Sequence, residues 1–172
     1  DGNANDEDGN VLNDIAYAKV SGAALFTDSS TFGQDGPGTK TYGLDVTGPG
    51  STNISGLIDA TTNQPIVLVQ IDADTVIGRV GSSGGADAFR IDVNPTTGEV
   101  TISQFRALEH DNAGSSASDH DESSSPEIMD AGKLLLNVTV TDGDKDHDTD
   151  SIDLGLLIKF EDDGPIARND ID

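Results

Sequence analysis

From about Val20 onward, clusters of Gly, Pro, Ser and Asn cut the chain into short β-rich runs. That rhythm suits a sandwich of strands and leaves little room for helices. The pattern predicts strands over 20–27, 41–47, 65–71, 75–80, 88–93, 99–105, 133–141 and 151–160. Phe89, Ile91 and Val93 alternate up to a turn supplied by Asn94, Pro95 and Gly98. Val100, Ile102 and Gln104 alternate after it, so the whole reads as a hairpin. In 133–141, Leu134, Leu136, Val138 and Val140 share one face while Asn137, Thr139 and Thr141 share the other, as in a strand half-buried against a core. The run 65–71 is apolar on both faces and is expected to be central. Residues 13–25 contain Ala and Leu, but Gly22 and β-branched residues interrupt them, which allows at most a short turn of helix. The expected fold is an all-β, sandwich-like single domain with long loops.

Residues 1–10 hold three Asp, three Asn, one Glu and two Gly, a composition that cannot form a core face. The expected organisation is a linker or extension over 1–19, one domain over 20–167, and a linker to a following module over 168–172. A start at Asp1 without Met or targeting segment suits a piece of a longer polypeptide. No run approaches the roughly 18 apolar residues of a membrane-spanning helix, so membrane insertion is not expected.

The 32 acidic and 9 basic residues give a formal net charge of −23 and a pI near 4.1. A nucleic-acid partner needs a basic stripe, whereas these Lys and Arg residues are scattered singly; an anionic membrane surface is disfavoured for the same reason. Such a charge repels itself in a compact state, so folding calls for high salt or bound cations. With no Cys, neither disulfides nor thiolate metal sites are available.

Carboxylates recur at Asp142, Asp144, Asp146, Asp148 and Asp150, between a strand ending near Thr141 and one beginning near Ser151. Calcium takes six to eight oxygens, and alternate carboxylates on a tight turn can converge on one ion. The spacing is not that of an EF-hand: His147 or Thr149 falls where the turn glycine belongs. Crowded like charges favour a cation over a merely solvated tip. Glu161, Asp162 and Asp163 precede Gly164-Pro165 and read either as an acidic exit linker or as an interdomain calcium site. Asp111, Asp119, Asp121 and Glu122 lie in a polar interval over 110–130, whose length marks it as functional or disordered.

Catalysis is not expected. His110, His120 and His147 all sit in acidic loops without a zinc-helix pattern, and no nucleophile elbow, P-loop or dinucleotide fingerprint occurs. Carboxylate pairs alone do not make a glycosidase, and the chain has no Trp and two Tyr for a sugar platform. Gly84-Gly85-Ala86-Asp87 is similar to one fragment of the glycine-rich calcium nonapeptide, but it is not repeated. It reads as a loop before the Phe89 strand.

The runs FTDSSTFGQDGPGTKTYGLDV, GLID, IGRVG, AFRIDVNPTTGEVTISQFRALEH and LLNVTVTDGDKDHDTDSIDLGLLIKFEDDGPIA resemble the repeat-type domain of giant RTX adhesins of Gram-negative bacteria. The resemblance spans residues 20–167, and VNPTTGEVT and the TVTDGDKDHDTD to IKFEDDGP ending carry it most specifically. It implies an extracellular, calcium-bound module at the bacterial cell surface, acting in adhesion and biofilm formation. Similar modules take peptide or protein C-termini of another cell, others bind glycans, and others only extend the stalk beside neighbouring modules. A monomer holding several Ca²⁺ ions is expected. A carboxylate ligand would need local positive potential from backbone N–H groups, calcium or Arg. Gly84, Gly85, Arg106 and His110 are the ligand-binding candidates.

Overall fold

The hairpin around Asn94 and the Leu134 strand each seed one of two antiparallel sheets. The computed structural model describes residues 15–26, 31–32, 36, 38–48, 53–110 and 126–161. The described elements run β1 (Ala16–Val20), α1 (Gly22–Leu25), β2 (Thr39–Val46), β3 (Ile54–Asp59), β4 (Gln64–Gln70), β5 (Thr75–Val80), β6 (Asp87–Val93), β7 (Val100–Gln104), β8 (Leu134–Thr141) and β9 (His147–Asp153). A six-stranded sheet has the order β1-β7-β6-β5-β4-β3 and a three-stranded sheet the order β2-β8-β9. The described residues are all-β apart from one short helix, and their two sheets pack as a sandwich.

Register explains the core. Ile91 lies opposite Ile102 and Val93 opposite Val100, while Leu44 and Val46 on β2 lie opposite Leu136 and Leu134. These apolar rows face one another across the sandwich and join Leu57, Ile66, Leu68, Val76, Phe89, Leu154 and Phe160 in one buried cluster, which apolar burial stabilises. Phe89 packs on Phe160 with ring centroids 5.3 Å apart. Its ring also fills the space in front of Gly78 on β5, where a Cβ would come within 2.6 Å of ring atoms. Gly78→Ala should therefore cost about 1–3 kcal/mol by overpacking. A thermal melt within a degree of the parent would refute that account.

Six expected strands coincide with β2 and β4–β8 to within two residues at each end, and the run 65–71 is indeed interior, flanked by β3 and β5. Three expectations need correction. The expected strand 20–27 is instead the end of β1 followed by α1, so the described sheet begins at Ala16. Gly22 is the cause: its α-carbon lies so close to Thr97 and Gly98 that a Cβ would sit 2.5 Å from the Thr97 carbonyl oxygen, and the chain turns there. The expected strand 151–160 starts earlier, at His147, and stops at Asp153. Leu154 and Gly155 both donate to the Leu134 carbonyl, and Leu157 and Ile158 donate back to Leu154, which turns 154–158 across the sandwich. β3 was not expected: it carries Ser55 and Gly56, residue types that usually bound a strand. A bulge between Ile54 and Ile58 accommodates them. Ser55 Oγ donates to the Ile66 carbonyl at 3.0 Å and accepts from Leu57 N at 3.1 Å.

Sheet edges invite pairing unless covered or charged. The free edge of β2 is covered: Tyr42 N donates to Pro95 O and Leu44 N to Ala73 O. Gln70 completes that cover by accepting from Val46 N and donating to Leu44 O. The β3 edge is covered too, by Glu109 N on Ile58 O, Asp130 N on Ser55 O, and the Asp59–Leu108 bridge. β9 has five consecutive exposed residues, His147–Ser151, including Asp148 and Asp150, whose charge discourages added strands. Among the described residues, no backbone group beyond β7 bonds to β1.

Candidate metal centre

The connection from β8 to β9 is a tight turn. Asp142 N donates to Asp146 O at 2.9 Å, and Asp146 N donates to Asp142 Oδ1 at 3.0 Å. Lys145 takes a φ of +82°, a left-handed conformation that a side chain adopts at a cost. Closing the turn this way brings Asp142, Asp144 and Asp146 together, with one oxygen from each lying within 4.8 Å of the others. Among the described residues this is the group of three acidic or metal-binding side chains so placed. Asp142 is half-buried, and the other two are exposed.

The electrostatics of the turn fit a cation. Hydrogen bonding with Asp144, then partial burial, then the Asp144 charge push the Asp142 carboxyl above the usual carboxylate range, against the Asp146 N–H that favours its charge. Three oxygens converge where like charges repel. A hard divalent ion accepts such oxygens and would complete its shell with carbonyls and water.

Asp148 and Asp150 fall elsewhere. Both lie on β9, opposite Val140 and Val138, and each accepts from the amide of the next residue, Thr149 and Ser151. The strand begins at His147, not near Ser151, and this divides the five alternating carboxylates into three on the turn and two on the edge. Asp111, Asp119, Asp121, Glu122, Asp162 and Asp163 lie outside the described residues.

The ligand-binding candidates belong to the larger sheet, apart from the acidic turn. Gly84 and Gly85 lie in the β5–β6 turn, where Gly85 N donates to Ser82 O at 2.9 Å. A Cβ on Gly85 would collide with the Val80 carbonyl, whereas Gly84 faces open space. His110 is half-buried at the end of the described stretch. Arg106 holds a carboxylate of this chain: its Nε donates to Asp59 Oδ1 at 2.7 Å and its Nη2 to Asp59 Oδ2 at 3.1 Å. Thr62 adds its amide and hydroxyl at 2.9 and 2.7 Å.

Asp59 went unnoticed in the sequence. Its side chain is fully buried, and Arg106 holds its carboxyl down at about 2 against the opposing effect of burial, with Thr62 assisting. The spacing Asp59-x-x-Thr62 signals a local side-chain turn, but the Arg partner is 47 residues away. Other cations are engaged likewise: Lys19 pairs with Glu99, Arg79 with Asp87, and Arg90 with Asp92. These pairs leave the surface without a basic stripe among the described residues.

No curated protein and no solved structure matches the chain. A family model described as "Domain of unknown function (DUF5801)" matches residues 2–155, a span that contains both sheets and the acidic turn. The chain therefore belongs to the DUF5801 family.

Proposed function

We propose that the chain is a calcium-dependent ligand-binding module of a large bacterial surface adhesin, not an enzyme, working outside the cell in adhesion and biofilm formation. The observation that carries this reading is the turn Asp142–Asp144–Asp146, where three carboxylate oxygens converge in a chain of net charge −23. Calcium would offset that charge and fix the β8–β9 hairpin, and a held ion offers positive potential to an anionic ligand group. The ligand proposed is a peptide or protein C-terminus on another cell, since a terminal carboxylate answers that potential. The resemblance to RTX adhesin modules supports the same assignment.

The test is a library of peptides with free C-termini, screened in calcium and in chelator beside a glycan array. Saturable, calcium-dependent peptide binding that Asp144→Asn weakens at least tenfold is the expected result. Binding confined to glycans would replace the ligand class, and binding to neither would leave a stalk module.

A further inference from the structure

Inward-facing residues of β1 are small. Ala16 and Ala18 lie opposite Gln104 and Ile102, and Val20 lies opposite Val100, on the face that carries Phe89, Ile91 and Val93. The segment 154–161 crosses this face without filling the space above the two alanines. Two cavities remain there, of about 220 Å³ and about 190 Å³. Ala18, Ile102 and Lys159 line both, so they form one groove beside β1. Leu157 at its rim is 53% exposed.

We propose that this groove and the β1 edge take an extended segment of another protein, which adds to the six-stranded sheet as a seventh strand. Among the described residues, β1 is the sheet edge left both uncovered and without a row of carboxylates, and strand addition satisfies its backbone groups. The cavities extend along β1, one reaching Ala16 and Gln104, the other Val20 and Val100. The cavities meet at Ala18, one spanning 16–18 and the other 18–20 of β1, so their middles lie two residues apart, the spacing of about 6.8 Å at which alternate side chains of a strand share a face. Each cavity is smaller than the roughly 300 Å³ at which small-molecule pockets begin, a size that suits single apolar side chains.

Charge selects the occupant further. Lys159 lines both cavities and makes no ion pair among the described residues. A carboxylate on the groove-facing side of the added strand complements it. A second copy is disfavoured, because two chains of −23 each repel. The occupant is thus an internal segment of low net charge with two alternating apolar residues and one acidic residue on the same face. The groove borders β1, whereas the acidic turn follows β8 on the other sheet, so this site is separate from the proposed calcium centre.

The experiment uses the intact chain in calcium and a pool of heptapeptides blocked at both ends, with Val, Leu, Ile or Phe at positions two and four and Glu at position six. Blocking removes any terminal carboxylate. Amide NMR should show saturable shifts in Ala16–Val20, with those amides gaining protection from exchange. Lys159→Glu, a surface change, should weaken binding about tenfold, and Ala18→Leu, which places a larger side chain where the two cavities meet, should abolish it in a protein that melts normally. Absent or unsaturable shifts, or shifts indifferent to both variants, overturn the proposal. Concentration-dependent dimerisation through β1 without peptide overturns the choice of occupant.

Discussion

Chelating calcium should lower the melting temperature by about 5–10 °C for each site that was saturated at a hundredfold above its Kd. An ion bound only by the folded state contributes about 2.7 kcal/mol at that saturation, and a domain of this size shifts by about 2–4 °C per kcal/mol. Magnesium should restore little of the loss, because it demands a strict octahedron at about 2.1 Å and dehydrates reluctantly. The turn supplies an irregular set of three carboxylates. The proton dependence follows from Asp142, whose carboxyl is pushed up by Asp144, partial burial and neighbouring charge. A group with a raised folded pKa favours the fold in its protonated form, and that contribution fades as pH rises through the carboxylate range. In chelator, the acidic turn should therefore destabilise the protein more at pH 7 than at pH 5. In calcium the order should reverse for this turn, since protons then compete with the ion. Melting curves indifferent to chelator at pH 7 would count against a cation in the turn.

Arg106→Ala should cost about 3–5 kcal/mol, a fall on the order of 10 °C in melting temperature. The substitution leaves the Asp59 carboxylate, fully buried, with Thr62 as its remaining partner among the contacts described. Arg106→Lys should recover part of the loss, since an ammonium keeps the charge but not the two parallel bonds. Asp59→Asn in the Arg106→Ala background should lose less than the two single changes together, because the buried charge has gone. The pair also sets an acid limit. Asp59 ionises at about 2 in the fold and near 3.9 in an unfolded chain, so its stabilisation, about 2–3 kcal/mol, is complete above about pH 5. It is lost as pH falls toward 2. Acid titrations of the parent and Asp59→Asn proteins should thus converge at low pH; parallel curves would show that the pair carries no such linkage.

What the sequence made legible was what repeats with a short period. β6, β7 and β8 alternate cleanly because each shows one face to the core and one outward, and their pairing follows from the Asn94–Gly98 turn and the Leu134 row. β1 escaped notice because Ala16 and Ala18 carry neither the bulk nor the branching that marks a strand, and those small residues open the groove. β3 was hidden by a bulge that places Ser55 and Gly56 inside a strand. The acidic turn was legible in composition, but its division was not: His147 and Thr149 were read as turn, whereas pairing with Thr141 and Thr139 draws them into β9. The Asp59–Arg106 pair depends on two segments meeting across the end of a sheet, which no local spacing announces.

Calorimetric titration decides whether the turn holds calcium. Calcium should be added to the metal-free parent and to the Asp142→Asn/Asp144→Asn double variant, with the fold of each checked by the amide spectrum of Ala16–Gln104. The parent should show a saturable site that is absent from the folded double variant. Superimposable isotherms for the two proteins would contradict it.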